Sequence, residues 1–250
     1  MNFKNSLFKL FKTIKVNHSS FVCIHLDAKI FNDHNIEKKK IKENLKILLS
    51  YFNKKGTIVI PTFSYSFTDK KNYDIIKSKS NVGFLTNEIL KLKGVKRTLH
   101  PIFSFAISGK KEKDLLMCDT KNCFGKNTVF DYLIKKRATI ISLACSFDRM
   151  TILHHIEQIS NVPYRFNKIF KGDIIKNKKI IIKNFKINYF VQKKNKYLSF
   201  NSDKLKKTLL RSKIIKKSIF GRFYCYSTNA TKFSDFLSKK IKSNPYYLVK

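Results

Sequence analysis

The run Ala138–Ala144, ATIISLA, restricts the fold of this chain more than any other stretch. It is small, β-branched and uncharged, the pattern of a strand buried within a sheet. The polar turn Cys145–Asp148 follows, and a helical pattern runs from about Met150 to Ser160 before Asn161–Pro163 ends it. Three further runs read as buried strands: Ser20–Leu26, Thr57–Pro61 and Ile102–Ile107. Helical patterns fall between them, at Ile36–Phe52, at Asn81–Lys91 and just after Gly125 and Asn127. Strands alternating with helices predict an α/β sheet, whose ligands collect at the carboxyl ends of the strands. After Pro163 the texture changes. Ile180–Ile182, Phe185–Val191 and Ile219–Tyr226 read as short antiparallel strands, Lys204–Arg211 as a short helix, and Asn229–Lys239 as a further helix.

Ahead of the first strand, residues 3–14 place Phe3, Leu7, Leu10, Phe11 and Ile14 on one helical face and lysines on the other. Such a helix docks on its own domain or lies on an anionic membrane, and docking is the expectation. No apolar run reaches the roughly 18 residues of a membrane span, and the first fourteen residues lack the apolar core of a secretory signal. Five cysteines, an odd number, suggest reduced thiols and a cytoplasmic protein. The spacing of Cys118 and Cys123, with the other three far off, makes a poor zinc site, and no metal is expected. The formal net charge of +37 raises nucleic acid as a partner. Against it, the charge is almost all lysine, spread along the whole chain, and no nucleic-acid-binding motif is present. An acidic small substrate fits the sign better.

The stretch Ala144–Asn167 carries the chemistry. His154 and Glu157 lie three apart on a helix and so share a face. A carboxylate beside an imidazole fixes its tautomer and raises its basicity, which suits a general base. The order HHIEQ is not the HExxH of zinc proteases, and of two adjacent helical histidines only one, His154 or His155, can face a site. Asp148 and Thr151 stand at the helix start, where they could cap it or meet a substrate. Arg149 could serve an anion, and Cys145 reads as a buried thiol rather than a nucleophile. His25 and Asp27 fall at the edge of the first strand, and His100 at a loop-to-strand junction before Pro101. In Pro61–Ser64, Thr62 and Ser64 sit where a pocket wall would lie, with Phe63 between them. Gly125 and Asn127, flanked by Phe124 and Lys126, precede a helix start of the sort that suits a phosphate.

At these residues the chain resembles the aminoglycoside 3-N-acetyltransferase-like family of acetyl-CoA-dependent enzymes. The matching pieces are CIHLDAKI (23–30), GTIVIPTFSYSF (56–67), residues 79–109, CFGKNTVFDYL (123–133) and CSFDRMTILHHIEQISNVPYR (145–165). Their order covers most of residues 20–175. The resemblance implies a three-layer α/β/α sandwich with an additional β-rich C-terminal region, forming one domain over 1–250. Its parts would be a basic N-terminal helix (1–19), a catalytic core (20–165) and β-rich additions with a C-terminal helix (166–250).

It also implies acyl transfer from acetyl-CoA, or another short acyl-CoA, directly to an amine, with His154 as base and Glu157 orienting it. By the same resemblance, Phe124, Gly125, Lys126 and Asn127 would hold the coenzyme A pyrophosphate and pantetheine arm. Pro61, Thr62, Phe63 and Ser64 would line the cleft near the thioester. His25, Asp27, His100, Asp148 and Thr151 would serve the acceptor. Many antibiotic-modifying members have His–Ser–Ser where this chain has His25, Leu26 and Asp27, and a second histidine where it has Phe103. Those departures resemble the branch that acylates nucleotide-linked amino sugars for surface glycans. The expected partners are therefore an acyl-CoA and a nucleotide-linked amino sugar, with an aminoglycoside as the alternative acceptor. The sequence leaves the oligomeric state open, a homodimer included.

Overall fold

The computed structural model describes residues 2–32, 37–52, 55–193 and 198–250. The chain opens with α1 (Phe3–Thr13), β1 (Phe21–Leu26), α2 (Lys29–Asn32), α3 (Lys38–Ser50) and β2 (Thr57–Pro61). Then come β3 (Tyr73–Asp74), α4 (Phe84–Leu90), β4 (Lys96–Arg97), β5 (Phe105–Gly109), α5 (Glu112–Leu116), α6 (Val129–Lys135) and β6 (Thr139–Leu143). A 3-10 turn at Phe147–Arg149 leads into α7 (Ile152–Ile159). The remainder is β7 (Arg165–Lys176), β8 (Lys179–Gln192), α8 (Ser202–Arg211), β9 (Lys216–Phe220), β10 (Phe223–Asn229) and α9 (Ala230–Ser243).

Seven strands form the central sheet in the order β4-β5-β2-β1-β6-β10-β9. Its heart, β2-β1-β6, is parallel, and the strands on either side join antiparallel. Strand alternation builds the layers, because successive side chains point to opposite faces. Val22, Ile24 and Leu26 of β1, Ile58 and Ile60 of β2, and Ile141 and Leu143 of β6 share a core with α1, α2, α3 and α4. Cys23, Val59 and Ile140 point the other way and pack with α6, α7 and α9. The result is the expected three-layer sandwich. His25 alternates with Ile24 and Leu26, so it stands on the α7 side of the sheet.

The lysine-rich N-terminal helix spends its apolar stripe on the fold: Phe3, Leu7, Leu10 and Phe11 are buried, and Phe3 packs edge-on to Phe220 of β9. That face is therefore not free for the membrane contact considered for residues 3–14. No helix among the described residues is long and apolar enough to cross a membrane.

The C-terminal strands divide their loyalty. β10 and β9 extend the central sheet, whereas β7 and β8 form a long hairpin that pairs with β3 as a second, three-stranded sheet. The two runs expected at 180–182 and 185–191 are one strand, β8, and β7 was not expected. Lysines and asparagine interrupt its apolar residues, and its stability comes from pairing with β8. Helix α3 begins at Lys38; the earlier start expected at Ile36 lies outside the described residues. β5 begins later than expected because residues 101–104 turn back against Thr62–Ser66. It ends at Gly109, whose φ of +120° and close approach to the Gly56 carbonyl oxygen exclude a side chain.

A candidate active site at the end of β6

Ala144 takes a left-handed φ of +56°, uncommon for a non-glycine residue. This sharp exit from β6 turns the chain across the sheet edge, through the 3-10 turn and into α7. It opens a cleft of about 820 Å³ whose walls come from the ends of β1, β2 and β6 and from the start of α4. The volume falls in the range of small-molecule sites.

The two adjacent histidines of α7 point to different faces of the helix. His155 is buried, and its Nδ1 accepts the Gly125 N–H at 3.2 Å. Burial pushes its pKa down to about 4. His154 lines the cleft. Its Nδ1 lies 2.6 Å from Glu157 Oε2, and its ring stacks on Phe200 with centroids 5.3 Å apart. Nε2 has no partner among the described residues. Glu157 is fully buried, and the Tyr164 hydroxyl donates to its Oε1 at 2.8 Å. Arg165 Nε lies 2.9 Å from Oε2, an ion pair whose N–H is not aligned well enough to make a hydrogen bond. Burial alone would raise the Glu157 pKa. The hydrogen bond and charge of His154, the Arg165 guanidinium and the Tyr164 hydroxyl outweigh it, and the net shift is downward. An ionised Glu157 at Nδ1 keeps the proton there and leaves Nε2 its lone pair, the arrangement of a general base.

Other expected residues divide between cleft and scaffold. His25, Asp27, Asp148 and Thr151 line the cleft. His25 is half-buried; the protein around it pushes its pKa down to about 4, so at neutral pH it is an uncharged ring. Asp27 also closes the turn after β1, accepting the Lys29 N–H at 3.0 Å. Asp148 accepts the Ser202 hydroxyl at 2.6 Å. Burial pushes its pKa up, but the Ser146 and Ser202 hydroxyls and Arg149 more than offset this.

His100, expected to face the acceptor, is instead a buried clamp outside this cleft. Its Nδ1 accepts the N–H groups of Phe103 at 2.8 Å and Ile102 at 3.2 Å, so Nε2 donates to the Asn122 carbonyl at 3.3 Å. Of Pro61–Ser64, Pro61 and Phe63 line the cleft. Thr62 and Ser64 turn inward: Ser64 donates to the Pro101 carbonyl at 2.9 Å, and Thr62 pairs with Ser104. The N–H groups of residues 62, 64, 65 and 66 donate to residues 101–104, which leaves that of Phe63 without an acceptor among the described residues.

The expected phosphate turn at 124–127 lies outside this cleft. Phe124 is buried, Gly125 N–H is taken by His155, and Asn127 N–H by Asp131 Oδ2 at 2.7 Å. None of these four residues lines the cleft. Asn81–Thr86 does line it, together with the cations Lys29 and Arg149. Nothing in the sequence marked this wall as separate from an ordinary helix start. Arg165, Tyr164 and Phe200 were also missed; the one available signal was arginine in a lysine-rich chain.

Cys145 lines the cleft too, but burial, with help from Asp27, pushes its thiol up to about 12. It is not a thiolate nucleophile. Among the described residues no cluster of ligands could hold a metal ion.

A cleft at the carboxyl edge of a three-layer sandwich, with an imidazole held by a buried carboxylate in its wall, has the form of an enzyme site. The sequence matches the aminoglycoside 3-N-acetyltransferase family over residues 28–242, and the chain belongs to that family. It is thus an acetyl-CoA-dependent N-acetyltransferase by family. Solved structures share the fold at low identity. Aminoglycoside acetyltransferase AAC(3)-IVa, as apoenzyme, superposes with a TM-score of 0.77 at 16% identity, over 99% of this chain and 92% of that one. The YokD protein from Bacillus subtilis gives 0.77 at 17%, over 97% and 94%. An alanine mutant of AAC(3)-IVa in complex with apramycin gives 0.76 at 16%, over 99% and 96%. No curated protein matches the sequence.

Proposed function

We propose that this chain acetylates a primary amine of an amino sugar, with His154 as general base and Glu157 as the group that orients it. The observation that carries the reading is the 2.6 Å contact of His154 Nδ1 with buried Glu157, on a ring whose Nε2 is free at the wall of the cleft. Acetyl-CoA supplies a thioester carbonyl, and the protein needs to supply a base and a donor for the developing oxyanion. Nε2 takes a proton from the attacking amine as the C–N bond forms. When the C–S bond breaks, the imidazolium can return that proton to the leaving sulfur. The unpaired N–H of Phe63 is the candidate oxyanion donor. Lys29 and Arg149, beside the open Asn81–Thr86 wall, supply positive charge for a pyrophosphate.

The family and the apramycin-bound neighbour support an aminoglycoside acceptor. The charge of this chain supports a second reading. An aminoglycoside is a polycation; here the cleft offers Asp27 and Asp148 against Lys29 and Arg149, on a protein of net charge +37. A nucleotide-linked amino sugar, which brings its own negative charge, suits that balance. The test is thiol release from acetyl-CoA across a panel of both acceptor classes, with wild type and His154→Ala. Turnover lost in the variant, with wild type active on one class, supports the base and selects the acceptor. Equal turnover by folded His154→Ala removes His154 from the mechanism.

A further inference from the structure

The Nδ1 atom of His154 has two neighbours that make opposite demands. Glu157 Oε2, at 2.6 Å, requires a proton on Nδ1; Arg165 Nη2, at 3.0 Å, is a donor and requires a lone pair there. Both bonds cannot form at once. If Arg165 wins, the proton of the neutral ring moves to Nε2 and the base is lost. Other contacts decide the contest. Arg165 also donates through Nη1 to the Phe190 carbonyl at 3.3 Å and sets its Nε against the same Glu157 oxygen. Its side chain is 9% exposed and that of Glu157 is 0% exposed, so little water screens the pair.

We propose that Arg165 is a positioning residue for the transfer reaction: it holds Glu157 as an anion against Nδ1 and opposes any extra proton on the His154–Glu157 pair, so that Nε2 stays free to act as base. The inference rests on the assignment of His154 as base and adds to it the residue that keeps that base unprotonated between turnovers. Glu157 by itself stabilises an imidazolium; a guanidinium 3.0 Å from the same nitrogen opposes it.

Without the guanidinium the pair binds a proton more readily. If the proton sits on the imidazole, Nε2 has no lone pair. If it sits on Glu157, the carboxyl donates to Nδ1 and the ring proton is on Nε2. Either microstate removes the base, so the sign of the effect does not depend on which group holds the proton. Among the described residues, the other titratable and charged groups around the ring are Tyr164, Tyr189 of β8, His25 of β1, Asp27 of the turn after it, Lys29 of α2, Tyr65 of the turn after β2, and Cys145, Asp148 and Arg149 of the turn before α7. They are the same in every variant below, so they cancel in the comparison.

The test is an NMR titration of the His154 ring in the full chain, with wild type, Arg165→Met and Arg165→Lys, alongside the pH profile of kcat/KM. Arg165→Met should raise the midpoint for protonation of the pair by about one pH unit or more, a tenfold or greater gain in proton affinity. The acid limb of kcat/KM should move up with it. Arg165→Lys, which keeps a cation, should return the midpoint most of the way to wild type. Should Arg165→Met fail to fold, Arg165→Gln takes its place, since it can still reach the Phe190 carbonyl. An unmoved midpoint in a folded neutral variant overturns the proposal, as does a lysine variant that behaves like the neutral one; a uniform loss of activity with an unmoved acid limb would mark a merely structural role. The ring titration needs no acceptor. It reads Arg165 even if the acetyl-transfer panel fails, and that failure would count against the proposed function alone.

Discussion

Glu157→Gln is the most informative single change. It keeps the shape of the side chain and an oxygen for the Tyr164 hydroxyl, but removes the anion that faces both His154 and Arg165. Breaking a buried pair by removing one partner costs about 3–5 kcal/mol, because the other charge is left buried and unpaired. Arg165 retains the Phe190 carbonyl and a small exposed fraction, which places the expected loss near the lower end, about 3 kcal/mol. In a chain of this length, about 3 kcal/mol lowers Tm by roughly 6–12 °C. Thermal and denaturant melts measure it. A double-mutant cycle then isolates the pair: Glu157→Gln combined with Arg165→Met should be clearly less damaging than the sum of the two, since the double variant leaves no orphan charge. Acetyl-transfer kcat/KM of the single variant should fall by roughly 10²–10⁴-fold, the usual worth of a correctly prepared base. A Glu157→Gln protein with wild-type Tm, strict additivity in the cycle and undiminished turnover would refute the reasoning.

Further expectations follow from the same geometry. Cys145→Ala should change kcat by less than about tenfold, or ~1.4 kcal/mol of barrier, because the thiol is neutral; an inactive but folded variant would argue for covalent catalysis. His100 and His155 are buried with pKa values lowered to about 4 from 6.5, so the unfolded chain binds protons that the native chain refuses. The stability they contribute is present above pH 6.5 and is lost as pH falls from there toward about 4, at up to ~1.4 kcal/mol per pH unit for each histidine. Melts at pH 7 and pH 5 read the slope, and His100→Gln or His155→Gln should flatten it. Gly109→Ala should cost about 2–3 kcal/mol, since its φ is +120° and a Cβ would run into the Gly56 carbonyl oxygen; a denaturant midpoint equal to wild type would contradict this.

Arg97 shows how a residue remote from the chemistry can hold the cleft in shape. Its guanidinium is largely buried, without a paired carboxylate among the described residues. It donates to the carbonyls of Thr62, Ser78 and Ile75 and to the Ser104 hydroxyl, and it lies over the Tyr73 ring. It thereby ties the turn after β2, one wall of the cleft, to the loop at 75–78. Burial lowers its pKa, and the charges of Tyr73 and Asp74 counter this in part.

What the sequence determined by itself is periodic or local. Uncharged runs at 20–26, 57–61 and 138–144 read as buried strands, and their alternation with helices pointed to a layered α/β fold. The three-residue spacing of His154 and Glu157 fixed their shared helix face, because that relation needs nothing beyond helical geometry. The tertiary structure alone decided which polar residues meet the cleft. His25 and His100 look alike in sequence, each at a strand boundary, yet one side chain opens into the cleft and the other is locked by backbone groups of its own loop. The Gly125 turn looks like an anion site until β6 and α7 are packed, when His155 takes its N–H. Arg165 stands eight residues beyond Glu157, on a strand that exists only because β8 pairs with it. No local pattern records such a meeting, since it is set by the path of the chain between the two elements.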